Sequence, residues 1–193
     1  MSLEFNRRSF LKYSAAAAVA VAGSSLLVGC GEDEYQKTGK IGSTLKLMGA
    51  FELESAKLNT APGIAVGIAV ADKILTCKFN LKCTSKYGLN IVPANFQVEV
   101  TSKADDKVTT YHAYNTDGTG GVTLTKSNNY LKKDDSLSTT LTVTNITVAD
   151  GDTIQVKFWP RPQASEGSQA YTRAFCTWKM TVEKDSSGNL IVK

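Results

Sequence analysis

Alternation of apolar and polar residues governs the chain from Thr44 onward, and that one regularity excludes most folds. Over residues 75–83 the odd positions are Leu75, Cys77, Phe79, Leu81 and Cys83, and the even ones are Thr76, Lys78, Asn80 and Lys82. A period of two puts these on the apolar and polar faces of one extended strand. Phe96, Val98 and Val100 alternate with Gln97, Glu99 and Thr101. Leu137, Thr139, Leu141 and Val143 alternate with Ser138, Thr140, Thr142 and Thr144. Ile154, Val156 and Phe158 form another row, and Cys176, Trp178, Met180 and Val182 a last one. No segment of similar length keeps a helical period. Turn formers separate the rows, among them Asp105-Asp106, Asp134-Asp135, Asp150-Gly151-Asp152 and Ser187-Gly188-Asn189. Short strands at this spacing predict an all-β chain, arranged as an antiparallel β-sandwich. Residues 63–71 are expected to add a strand, with Ile64, Val66, Ile68 and Val70 on one face and only Ala and Gly on the other.

The first 29 residues follow different rules. Residues 13–29 are apolar and rich in Ala, with Arg7, Arg8 and Lys12 ahead of them. This run is shorter than the roughly 20 strongly apolar residues of a spanning helix and has the build of a helical, cleavable export signal. Arg7-Arg8-Ser9-Phe10-Leu11-Lys12 resembles the twin-arginine (Tat) consensus, in which the arginine pair is followed by one variable residue and then Phe-Leu-Lys. Leu27-Val28-Gly29-Cys30 resembles a bacterial lipobox. That resemblance implies cleavage before Cys30 once its thiol carries diacylglycerol, so the mature chain is tied to membrane lipid through Cys30. Each buried methylene contributes about 0.8 kcal/mol, so two or more acyl chains anchor a protein stably without a spanning helix.

Composition has to be read on the mature part. The net charge of the full chain is +4, and the leader holds Arg7, Arg8, Lys12 and Glu4, which leaves +2 without it. A near-neutral domain gives no expectation of nucleic acid as a partner. The sequence therefore divides into a signal peptide at 1–29, a lipid-anchored flexible linker at 30–43 and a single β-sandwich domain at 44–193. The linker is expected from the polar run GEDEYQKTGKIGS, whose flexible span is about 20 Å.

The succession TLKLMGAFELESAKL, ILTCKFNLKCTSKYG, NIVPANFQVEV, TTYHAYN and LKKDDSLSTTLTV, followed by a last pair of strands, resembles the telokin-like, immunoglobulin-type sandwich found in bacterial lipoproteins. The resemblance spans most of residues 44–183. It implies an immunoglobulin-like β-sandwich serving as a binding or structural module, without a known catalytic site. A bridge of the immunoglobulin type would join Cys176 to Cys77 or Cys83 beside Trp178. The alternative is three buried thiols acting as small apolar side chains, in keeping with a route that exports proteins already folded in a reducing cytoplasm.

Catalytic and metal chemistry find little support in these residues. His112 is the one histidine, so neither a blue-copper set nor a His-rich zinc site can be assembled, and no metal or cofactor is expected. It is read as a sheet residue between Tyr111 and Tyr114. The acidic pairs lack the spacing of a calcium loop and are explained as turns. No Gly-x-Ser-x-Gly elbow supports a serine nucleophile, and the chain is expected not to be an enzyme. One segment remains as a candidate binding loop. Residues 159–173 carry Trp159, Arg161, Tyr171 and Arg173 around two prolines, residue types that concentrate binding energy, although a plain connector between strands would read the same way. The expected function is a membrane-anchored envelope lipoprotein that binds a protein or envelope component. The rival is an accessory subunit of a Tat-dependent redox assembly.

Overall fold

A computed structural model describes residues 35–60, 73–113, 121–162 and 174–193, and these form an all-β unit without an α-helix. The expected strand at 63–71 and the signal segment lie outside the described residues. One sheet has the order β2 (Thr44–Lys46), β3 (Gly49–Thr60), β4 (Lys73–Cys83), β10 (Ser136–Ile146) and β8 (Val122–Leu124). A second has the order β1 (Gln36–Gly39), β13 (Phe175–Lys184), β11 (Thr153–Phe158), β6 (Phe96–Thr101) and β7 (Val108–Tyr111), with β14 (Leu190–Val192) also paired to β13. A small third sheet joins β12 (Arg161–Pro162), β5 (Leu89–Ile91) and β9 (Asn128–Leu131). Among the described residues every pairing is antiparallel except that of β1 with β13.

The two large sheets meet through the apolar rows predicted by alternation. Leu75, Cys77, Phe79, Leu81 and Cys83 of β4 are all buried, as are Ile154, Val156 and Phe158 of β11. Aromatic rings join the sheets. Phe51 meets Phe158 edge to face at 5.0 Å, and Phe79 lies 5.2 Å from Trp178 and 5.5 Å from Phe96. Phe96 stacks on Phe158 at 4.6 Å. Each pair of this kind adds about 0.5–1.5 kcal/mol beyond the area it buries. The Trp178 indole N–H, which burial would otherwise leave unsatisfied, donates to the Ser43 carbonyl at 3.1 Å.

Two local features depart from simple alternation. In β3 the core-facing positions change parity, from the buried Phe51 and Leu53 to the partly buried Ala56 and Leu58, because the pairing with β4 slips between Leu53 and Ser55. Glu54 is the extra residue of this bulge and turns outward, where Lys78 binds it at 2.7 Å. The loop before β10 requires a left-handed backbone at Asp134, with φ 70°; Asp tolerates this region better than most side chains. The Asp134 N–H donates to the Cys83 carbonyl and the Cys83 N–H to the Asp135 carbonyl, which pins the loop to β4.

Three expectations are corrected. The segment 30–43 is not a flexible linker throughout. Gln36–Gly39 is β1, hydrogen-bonded in register from Gln36 opposite Phe175 to Gly39 opposite Trp178. Its polar composition hid an edge strand, which has one hydrogen-bonded partner and is only half-buried, so no apolar row marks it. The folded unit accordingly begins before Thr44. Secondly, His112 is not within a strand, because β7 stops at Tyr111; the exposed His112 follows it, and its carbonyl accepts from the Val122 N–H. Thirdly, Cys176 is not bonded to Cys77 or Cys83. All three are free, buried thiols, and the Phe79 and Trp178 rings fill the space between β4 and β13. Cys176 stands in register with Phe158 of β11, Cys77 with Leu141 and Cys83 with Gly49, so each thiol packs as a small apolar side chain.

Candidate functional site

The thiols themselves are not reactive groups. Burial pushes Cys77 and Cys176 up to about 12, with Lys37 only partly offsetting the effect at Cys176. Burial raises Cys83 as well, and the nearby Asp134 and Asp135 charges act in the same direction; its thiol donates to the Ser85 carbonyl at 3.5 Å. At neutral pH all three are protonated and behave as packing residues.

The outer face of the first sheet carries an open groove of about 350 Å³ across β2, β3, β4 and β10, lined by Thr44, Glu52, Asn80, Lys82, Ser136 and Ser138 among others. Its one acid, Glu52, and the neighbouring Glu54 are already committed. The Asn80 amide donates to Glu52 at 3.3 Å and to Glu54 at 2.8 Å. The hydrogen bond from Lys78, and then that from Asn80, holds the Glu54 carboxyl below its ordinary value. A carboxylate kept ionised in this way is a poor proton donor at neutral pH. The groove can present hydroxyls, amides and carboxylates to a polar ligand. Among the described residues no group of three or more His, Cys, Asp or Glu side chains could hold a metal ion.

The candidate loop is only partly within the described residues. Trp159 is anchored on both sides of its peptide: its N–H donates to the Asn95 carbonyl at 2.9 Å, and its carbonyl accepts from the Asn95 side chain at 3.2 Å. The half-buried ring lies 5.6 Å from Phe175. Arg161 is exposed on β12, opposite Asn90 of β5. The structure therefore places Trp159 and Arg161 at one end of the sheets, while Tyr171 and Arg173 lie outside the described residues.

Sequence reasoning missed the buried polar side chains that fix this end and the opposite one. Asn95 also accepts from the Val92 N–H at 3.0 Å, which joins the 3-10 turn Pro93–Asn95 to the exit of β11. Asp152 accepts from the Lys103 N–H at 3.0 Å and the Ala149 N–H at 2.7 Å, and so ties together the turns before β7 and β11. A Pro-x-Asn step and an Asp-Gly-Asp turn were visible in the sequence, but their long-range partners were not.

Residues 4–24, which contain Arg7 and Arg8, match the TAT (twin-arginine translocation) pathway signal sequence. A signal of this kind routes its chain across the cytoplasmic membrane. No curated protein matches the sequence. Among solved structures, one from Bacillus subtilis described as a "putative lipoprotein" aligns at 15% identity and a TM-score of 0.45, over 81% of this chain and 41% of that one. The protein thus spans well under half of that structure. Another, described as the "putative ApaA protein" of Bordetella pertussis, aligns at 8% identity and a TM-score of 0.34, over 72% of this chain and 89% of that one.

Proposed function

We propose that the exported chain is a lipid-anchored envelope protein presenting one immunoglobulin-like β-sandwich, which acts by non-covalent binding to a protein or envelope component. The observation that carries the anchoring is a matter of spacing. The twin-arginine match ends at residue 24, Leu27-Val28-Gly29-Cys30 follows after Ser25 and Leu26, and the folded unit takes over with β1 at Gln36. The lipidated cysteine would then stand a few residues from the domain.

The strand order supports the immunoglobulin-like class. The order β3-β4-β10-β8 facing β13-β11-β6-β7 matches the two-sheet order of immunoglobulin-type domains, with the added strand beside the third that variable-type domains carry. The position of Cys176 on β13, the last strand of that scheme, explains why it is not the partner of a cysteine on β4. A binding role is favoured over catalysis by the committed carboxylates of Glu52, in the groove, and Glu54, beside it, and by the protonated, inaccessible thiols. The test is membrane partition in a bacterial host carrying a Tat pathway. The wild-type chain is expected in the membrane fraction, Cys30→Ala in the soluble exported fraction, and Arg7→Lys/Arg8→Lys retained inside the cytoplasmic membrane. Equal membrane association of the wild-type and Cys30→Ala chains would overturn the anchor.

A further inference from the structure

The domain has one end that differs from the other, and Tyr35, five residues after Cys30 in the sequence, stands at that end. The Tyr35 carbonyl accepts from the Phe175 N–H, and β1 begins opposite Phe175. In the second sheet this is the end where Phe96, Phe158 and Cys176 stand in register. In the first sheet it is the end of Gly49 and Cys83, and of the loops that follow β4 and precede β10. The small third sheet, leading from Leu89 to the turn before Phe96, covers it.

Three of the four large apolar side chains exposed among the described residues are at this end: Tyr35 (41%), Tyr87 (42%) and Tyr130 (49%). The fourth, Val108, pairs with Thr101 at the opposite end. The Tyr130 ring lies against the backbone of Gly88, which adopts φ 71° and where a Cβ would stand 2.5 Å from that ring. Glycine is required there for both reasons. Lys86 holds its ammonium 4.8 Å from the Tyr87 ring centre. Lys132 and Lys133 follow Tyr130 in the chain and Arg161 pairs with Asn90, all three exposed, and Asp134 and Asp135 are the acids of the loop after β9. The opposite end is balanced, with Lys103 and Lys107 set among Asp105 and Asp106.

Interfacial tyrosines and basic side chains together suit the headgroup layer of an anionic bilayer. The five residues from Cys30 to Tyr35 reach at most about 18 Å when fully extended, so an anchored domain cannot carry this end far from the lipid. Glu32, Asp33 and Glu34 lie within that segment and favour water over the headgroups. We propose that the end bearing Tyr35, Tyr87, Tyr130, Lys86 and Arg161 is a membrane-docking surface, whose cations meet the phosphates of anionic lipid headgroups while the tyrosines enter the headgroup layer. The inference rests on the lipid-anchor reading for its orientation but makes its own prediction about the protein surface.

The test uses the mature chain from residue 30 with Cys30→Ser, which carries no lipid, sedimented with vesicles of phosphatidylcholine alone or with one third phosphatidylglycerol. Binding is expected only with phosphatidylglycerol and is expected to fall as salt rises. Lys86→Glu/Lys132→Glu/Lys133→Glu is expected to weaken it by about tenfold or more, and Lys103→Glu/Lys107→Glu at the other end to leave it unchanged. Thermal unfolding of each variant shows that it is folded. Equal binding to both vesicles, no binding to either, or equal loss in the two charge variants would overturn the proposal. The lipid anchor is judged separately by the partition of the Cys30→Ala chain, so either idea can fail without the other.

Discussion

Alkaline pH is expected to destabilise the domain through two thiols. The cause is the burial of Cys77 and Cys176, which raises each from an ordinary 9.0 to about 12. The folded state keeps these protons, whereas the unfolded chain releases them above pH 9. Between pH 9 and 12 the unfolded state thus binds fewer protons, and stability falls as pH rises. Below pH 9 both states are protonated and the effect vanishes. The slope is about 1.4 kcal/mol per pH unit for each thiol, which at pH 10.5 gives about 2 kcal/mol per thiol and about 4 kcal/mol for the pair. With a urea slope near 2 kcal/mol/M, the midpoint should drop by about 2 M between pH 8 and pH 10.5. Cys83 shifts in the same direction and adds to the fall.

The assay is urea unfolding at a series of pH values, comparing the mature Cys30→Ser chain with the same chain carrying Cys77→Ala and Cys176→Ala. Tyrosine and lysine ionisation is common to both proteins and cancels in the difference. The variant should be less stable at pH 8, because two sulfurs have left the core, but it should lose much less stability on going to pH 10.5. Parallel pH profiles for the two proteins would refute the reasoning.

Other outcomes follow from the same packing. Trp178→Ala removes the ring that meets Phe79 and the hydrogen bond to Ser43, and should cost about 3–5 kcal/mol in chemical denaturation. Gly49→Ala would place its Cβ against the Lys82 carbonyl and the Phe51 ring; a loss of about 1–3 kcal/mol is expected, and an unchanged melting temperature would contradict the close approach. Asp152→Asn puts an NH2 or a weaker acceptor opposite the Lys103 and Ala149 N–H groups, and should cost about 1–3 kcal/mol by thermal unfolding. A thiol reagent should label the three core cysteines only as fast as the domain opens, so the rate should track urea concentration.

What could be read from the sequence was what depends on neighbours along the chain. Alternation in β4, β6, β10 and β11 identified the buried rows because each residue's face follows from its parity. The same rule failed in β3, where the bulge at Glu54 resets parity, with only FELESAKL as a trace. It also failed at β1, whose QKTG has no apolar row because its place is set by hydrogen bonds to β13. The disulfide expectation misplaced Cys176, since the sequence does not say that its strand stands one place beyond β11 in the sheet. At the candidate site, Trp159 and Arg161 were singled out by residue type, but Asn95, which fixes Trp159, was not. Nor were Tyr87 and Tyr130, whose shared exposure depends on the third sheet. The twin-arginine signal was legible because a translocation machine reads it as a linear string, before any folded contact matters.

The central claim is that this β-sandwich is held at a membrane by a lipidated Cys30 after twin-arginine export. The most direct test is the intact mass of the protein extracted from membranes of its host. The account predicts a chain that begins at Cys30, without residues 1–29, heavier than its peptide mass by a diacylglyceryl group. A full-length, unmodified chain recovered from the soluble fraction would contradict it.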